Sequence, residues 1–326
     1  MKTEFAIVDL FAGPGGLAEG FSSLRNRDGS RPFRLALSVE KEPSAFETLR
    51  LRNFLRQFEN GFPPEYYRFL NGEISEEPVW PDLYPEEWQT AERETVMLEL
   101  GTSGAAAEID TRIERISKAY RGNIVLIGGP PCQAYSLVGR ARNKGTEGYN
   151  AGKDHRHFLY REYIRILKQL MPAAFVMENV KGLLSSSVDG ELIFDQVLDD
   201  LSAVGNGAYR LVPLTPRSGQ LHVPSFGHPP AVDFVVRAED HGVPQSRHRV
   251  IILGIRKDVF GGLNIDSGLP LLPTTNTVVT VRDVLRPMPK LRSGISGGED
   301  GEEIWQKTAS TLMRVVSTST SRLPDK

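Results

Sequence analysis

The chain has 326 residues, 40% hydrophobic and 25% charged, with a formal charge of -2, which fits a globular protein with a full core and excludes a fibrous or wholly disordered one. The first apolar segment, Phe5-Ala6-Ile7-Val8, is far too short for a signal-peptide core or a membrane span. One cysteine excludes an intrachain disulfide or a Cys-rich zinc site, so the expected setting is a reducing cytoplasm with no membrane and no metal.

Short β-rich runs alternate with helical patterns along the chain, as in a parallel sheet with crossover helices. The expected strands are Phe5 to Phe11, Phe33 to Val39, Asn123 to Ile127, Ala173 to Met177, Tyr209 to Leu214 and Arg249 to Ile255. Between them lie the expected helices Leu17 to Leu24, Ser44 to Phe58, Phe158 to Leu170 and Leu192 to Val204. The fold class is therefore α/β, a doubly wound sheet, spanning residues 1–260.

Two segments interrupt the alternation. Residues 75–120 carry Pro78, Pro81 and Pro85, then two helix-like stretches, Glu86 to Leu100 and Ala105 to Tyr120, and read as a helical insertion. Residues 215–231 read as a long loop of the kind that is more often functional than structural. Residues 261–326 read as a linker or an incomplete region, because the Gly-, Ser- and Thr-rich end shows no strong strand or helix.

Charge is distributed unevenly. From Cys132 to Lys168 there are eight Lys/Arg against three Asp/Glu, whereas Gly72 to Leu100 holds nine acids and one base. The basic block follows the lone cysteine, where a polyanion would lie, although a solvated loop and helix face would look the same.

Four segments, together with Glu40, can carry chemistry. Asp9-Leu10-Phe11-Ala12-Gly13-Pro14-Gly15-Gly16-Leu17 places a glycine turn between strand and helix, with neither G-x-G-x-x-G spacing nor a following Lys-Ser or Lys-Thr, so a nucleoside without phosphates fits better than a dinucleotide. Glu40, ending the second strand, stands where an acid can accept hydrogen bonds from a ribose diol. Gly129-Pro130-Pro131-Cys132-Gln133 sets a thiol on the loop leaving a strand, as a nucleophile or as a small buried hydrophobe. Glu178, in Met177-Glu178-Asn179-Val180, is either an acid with a raised pKa or half of a buried salt bridge. Arg247 and Arg249, at alternate positions entering a strand, project to one side and can grip phosphate or a base carbonyl.

In this order the four segments resemble the DNA (cytosine-5) methyltransferase family over about residues 4–256. Ala134-Tyr135-Ser136-Leu137-Val138-Gly139-Arg140 looks more like its bacterial DNA enzymes than their tRNA-methylating relatives. The resemblance implies a Rossmann-like domain that binds S-adenosylmethionine and double-stranded DNA, in a restriction–modification or related system. Carried over, Phe11, Gly13, Gly15 and Leu17 would line the cofactor, Glu40 would hold its ribose, Glu73 and Ile74 would meet its adenine, and Pro131 and Leu159 would touch it. The family usually has Asp where Glu73 stands and an aromatic residue where Lys41 stands. The same resemblance makes Cys132 the nucleophile toward C6 of a flipped cytosine and Glu178 the acid. Arg249 would hold the base, Arg247 would organise the Cys132 loop, and Arg140 to Arg156 would form a mobile loop closing over DNA.

The family continues with a target-recognition region and two final motifs not found here; Val281 to Leu285 resembles the segment before that region, so residues 261–326 are expected to be a linker or its incomplete start. The expectation is a truncated piece or a chain completed by a second polypeptide. The alternative reading is a catalytically incomplete module that binds cofactor or DNA. A flavin or nicotinamide oxidoreductase gives Cys132 and Glu178 no joint role.

Overall fold

The computed structural model describes residues 4–131, 159–188, 191–215, 228–262, 272–288 and 301–320, with no side-chain description at 187, 188, 191 and 312–320. Cys132, the stretch from Arg140 to Arg156 and most of the loop at 215–231 lie outside the described residues. The described part divides into two units, 1–278 and 279–326.

Unit 1 is built on one mixed sheet. Its strands are β1 (Phe5–Leu10), β2 (Phe33–Glu40), β3 (Thr95–Met97), β4 (Ile124–Gly128) and β5 (Ala174–Val180), then β8 (Tyr209–Val212), β9 (Val235–Arg237) and β10 (His248–Arg256); β6 (Ser187–Val188) and β7 (Glu191–Leu192) pair separately. The order is β3-β2-β1-β4-β5-β10-β8, with β9 also against β10. From β3 to β5 all pairings are parallel, while β10 runs antiparallel to β5, β8 and β9. The sequence pattern alone does not show this reversal.

Alternation along the strands feeds two apolar layers, as the side-chain period of two requires. Ala6, Val8, Leu10, Leu126 and Phe175 face the helices at 103–120, 159–170 and 193–207, whereas Ile7, Leu35, Val125 and Ile127 face the helix Gly16–Ser23. The sheet is thus covered on both faces, in the doubly wound, Rossmann-like manner. The order reverses between β1 and β4, and the carboxyl ends of those strands open the crevice where such sheets bind ligands.

The stretch read as a helical insertion contributes to the sheet itself. The helix Pro85–Glu94 stops where the β-branched Thr95 and Val96 begin, and Ser38, Val39 and Glu40 of β2 pair in parallel with Thr95, Val96 and Met97. An open strand edge overrides the helical periodicity that runs on to Leu100. The following helix, Ser103–Tyr120, buries Ile109 and Ile113 in the main core and is the crossover to β4. Outside the sheet, Phe54, Trp80 and Ala91 form a small separate core with Phe58, Tyr84 and Trp88 packed on it.

Unit 2 contains the helices Val281–Leu285 and Glu302–Thr320. The first is closed by a capping box in which Thr280 and Asp283 satisfy each other's backbone N–H. The second was not expected from the Ser/Thr-rich sequence. Good helix formers from Glu302 to Ala309, with Gln306 donating to Glu302 at 2.9 Å, carry its described side chains.

Candidate active site

At the carboxyl edge of the sheet lie two cavities. The smaller, about 270 Å³, sits over the ends of β1, β2 and β3, and its walls include Phe11, Val39, Leu98, Leu100, Pro131 and Leu159. Its charged lining is Glu40, Lys41, Glu42 and Glu99.

The glycine turn is held by Glu40. Gly13 N–H donates to one carboxylate oxygen at 2.7 Å, and the N–H groups of Lys41 and Glu42 donate to the other at 2.9 and 2.8 Å. A carboxylate offers about four lone-pair sites, so capacity remains for a hydroxyl. Gly13 and Gly15 have φ of 55° and 87°, and a Cβ at Gly15 would stand 2.8 Å from Leu49 Cδ1. Phe11 shares the left-handed region with φ 55°, an uncommon state for an aromatic residue, and its side chain lines both cavities.

Behind the turn, burial pushes the Asp9 carboxyl up to about 8, against the pull of Arg56 and with a smaller push from Glu40. Asp9 and its register partner Ser38 are fully buried, and among the described residues their side-chain oxygens have no hydrogen-bond partner. A neutral carboxyl is the form such a site favours.

The larger cleft, about 880 Å³, joins Gly129, Glu178, Arg247 and Arg249 on one side to Leu17, Phe21 and Leu24 on the other. The antiparallel entry of β10 brings Arg249 beside the end of β5, where Arg249 faces Val180 and Ile251 faces Glu178 in the register. Arg249 Nε meets Glu178 Oε1 at 2.8 Å, with both side chains one-quarter exposed. The salt bridge considered for Glu178 therefore exists, but it lies open to the cleft, and its partner is the other expected site residue. Arg247 lines the same cleft, as its alternate position implied.

Asn179, overlooked in the sequence, ties the two sides together. Its Nδ2 donates to the Pro130 carbonyl at 3.0 Å, so the strand that carries Glu178 also fixes the loop leading to Cys132. Gly129 leaves room for the acid, since a Cβ there would approach Glu178 Oε2 to 3.1 Å.

The expected cofactor set divides. Phe11, Glu40, Pro131 and Leu159 line the small cavity and Gly13 is bonded to Glu40, whereas Leu17 lines the larger cleft and Gly15 faces Leu49 and Arg56. Glu73 and Ile74 do not line the small cavity. They follow the helix Pro64–Leu70, where Glu73 is exposed with Arg68 and Asn71 as neighbours. The residues after β3, Leu98, Glu99 and Leu100, line that cavity, whereas the family resemblance alone places Glu73 and Ile74 at the adenine. No group of three or more His, Cys, Asp or Glu side chains suited to a metal occurs among the described residues, and none of their helices is long and apolar enough to cross a membrane.

A family model described as C-5 cytosine-specific DNA methylase matches residues 102–290. The type II methyltransferase M.Bpa9945I of Bacillus paralicheniformis is 33% identical, over 88% of this chain and 61% of its own length. Type II methyltransferase M.BspRI of Lysinibacillus sphaericus is 30% identical over 78% of this chain and 46% of its own length. DNA (cytosine-5-)-methyltransferase M.ApeKI of Aeropyrum pernix is 37% identical over 42% and 28%. The chain thus spans about three-fifths or less of each of these relatives.

Proposed function

Because the chain belongs to the C-5 cytosine-specific DNA methylase family, we propose that it transfers a methyl group from S-adenosylmethionine to C5 of cytosine in double-stranded DNA. The observation that carries this reading is the meeting of the two cavities at Phe11 and Gly129, the latter three residues before Cys132. A nucleoside in the smaller cavity would face a base in the larger one across that junction.

The smaller cavity fits the cofactor. Its Glu40 is preset to accept a ribose hydroxyl, its walls are largely apolar, and its one lining cation, Lys41, is paired with Glu99, so nothing in the lining favours a phosphate chain. Phe11, Glu40, Leu98, Leu100, Pro131 and Leu159 would hold the nucleoside. When bound, S-adenosylmethionine supplies an electrophilic methyl group.

The chain's own residues would activate the base. Cytosine must leave the duplex stack to be reached. Cys132, as a thiolate, adds to C6 and makes C5 nucleophilic, while Glu178 accepts from the exocyclic amine and supplies a proton to N3. Arg249 orients Glu178 through Nε and has further N–H groups for the base carbonyl. Asn179 fixes the loop backbone before Cys132, and Arg247 shares the cleft wall. Once C5 carries the methyl group, its proton passes to water, the thiolate is expelled from C6, and the N3 proton returns to Glu178, which restores the ring. The cations from Arg140 to Arg156 offer contacts to DNA phosphates. The type II names of the relatives support a place in restriction–modification, and a reducing cytoplasm would keep Cys132 a thiol.

The test is covalent capture. A duplex carrying 5-fluorocytosine cannot lose fluorine as a cation, so incubation with the chain and S-adenosylmethionine should give a denaturant-resistant adduct that maps to Cys132. An adduct on another residue, or equal yield with Cys132→Ala, overturns the mechanism. Cofactor binding with no adduct on any cytosine duplex would favour the binding-only alternative.

A further inference from the structure

We propose that the Lys41–Glu99 ion pair is a latch across the mouth of the small cavity that slows release of the bound nucleoside; this rests on the cofactor reading above. Lys41 directly follows β2 and Glu99 stands two residues beyond β3, so the pair joins the lips of two adjacent parallel strands. Lys41 Nζ lies 3.0 Å from Glu99 Oε1, and both residues line the cavity. Side-chain exposures of 51% and 62% put the contact at the rim rather than on the floor.

The other lining carboxylates are engaged elsewhere. Glu40 takes the amides of Gly13, Lys41 and Glu42, and Glu42 caps the helix Pro43–Leu55 through Ala45 N–H. Glu99 is the lining acid whose side chain is paired with a lysine from the opposite lip. A pair so exposed adds little to fold stability. Its place gives it leverage on passage instead: a ligand passes this rim in either direction only while the contact is open, so breaking the pair speeds release.

The experiment follows release of S-adenosylhomocysteine, which carries no net charge near neutrality, by stopped-flow competition with the full chain. Lys41→Met, Glu99→Gln and the double variant are compared with wild type at low and high salt. Each single change should speed release about two- to fivefold, the range expected of an exposed ion pair. The double variant should release no faster than either single one, and added salt should speed release from wild type alone. Unchanged release in both single variants, multiplicative effects in the double variant, or equal salt dependence in all four proteins would overturn the latch while leaving the cofactor reading intact. Absence of binding by the correctly folded wild type would remove the cofactor reading and the latch together.

Discussion

The two cavities share Phe11 and Gly129 but are made of different materials. The polar core of the smaller one is backbone: three amides converge on Glu40, and two glycines in the left-handed region shape the turn beneath it. The larger one is defined by side chains, Glu178 paired with Arg249 and Arg247 beside them, brought together by an antiparallel strand added to a parallel sheet. A site built from backbone presents a fixed shape to a constant ligand. One built from long charged side chains can rearrange when a base enters, and the contrast suits a cofactor on one side and a substrate on the other.

Breaking the side-chain half should cost the most turnover. With Glu178→Gln, the amide keeps a hydrogen bond to Arg249 but cannot deliver a proton, and a positioned acid or base is worth about 10²–10⁴-fold in rate. Single-turnover methylation should fall by that factor while S-adenosylhomocysteine affinity holds. A loss below about fivefold would return Glu178 to a structural role.

Breaking the backbone half should instead show in binding. Glu40→Gln replaces charge-assisted contacts to three amides with neutral ones, and at about 1.5–3 kcal/mol for a hydrogen bond to a charged group the affinity for S-adenosylhomocysteine should fall about ten- to a hundredfold by calorimetry. If affinity is retained and only turnover drops, the cavity has been assigned to the wrong ligand. Gly15→Ala tests the turn more gently. The left-handed φ and the close approach to Leu49 should lower stability by about 1 kcal/mol or more in chemical denaturation, and an unchanged midpoint would show that the turn can relax.

A further effect concerns pH. Burial raises the Asp9 carboxyl from 3.8 to about 8, so the folded state holds its proton where the unfolded state has released it. The stabilising contribution is complete below the unfolded value and declines as pH rises from about 4 towards 8. Asp9→Asn should flatten that decline, with its melting temperature gaining on wild type between pH 5 and pH 8. A gain in the opposite direction would mean that Asp9 is charged and paired in the folded protein.

The central strands were legible in the sequence because each is a short apolar run bounded by turns, and Glu40, Glu178, Arg247 and Arg249 because each stands at a strand end. Long-range pairing was not. Thr95 to Met97 looks like the continuation of a helix until the free edge of β2 is known, so the lining by Leu98, Glu99 and Leu100 is not legible, and the resemblance points to Glu73 and Ile74, which do not line the cavity. The reversal of β10 was hidden as well, because periodicity carries no direction, and so was its consequence, the Glu178–Arg249 pair. Asn179 was passed over beside a more conspicuous carboxylate, although a buried amide next to a candidate acid is itself a signal that some backbone must be held.

The most direct test is the position of the transferred methyl group. After incubation of cytosine-containing duplex DNA with the chain and S-adenosylmethionine carrying a labelled methyl group, the DNA is digested to nucleosides and analysed by mass spectrometry. The account predicts label in 5-methylcytosine and in no other nucleoside, with none detectable for Cys132→Ser, whose hydroxyl keeps the shape but lacks thiolate reactivity. Label on the exocyclic nitrogen of cytosine or adenine, or 5-methylcytosine formed at an undiminished rate by the serine variant, would contradict it.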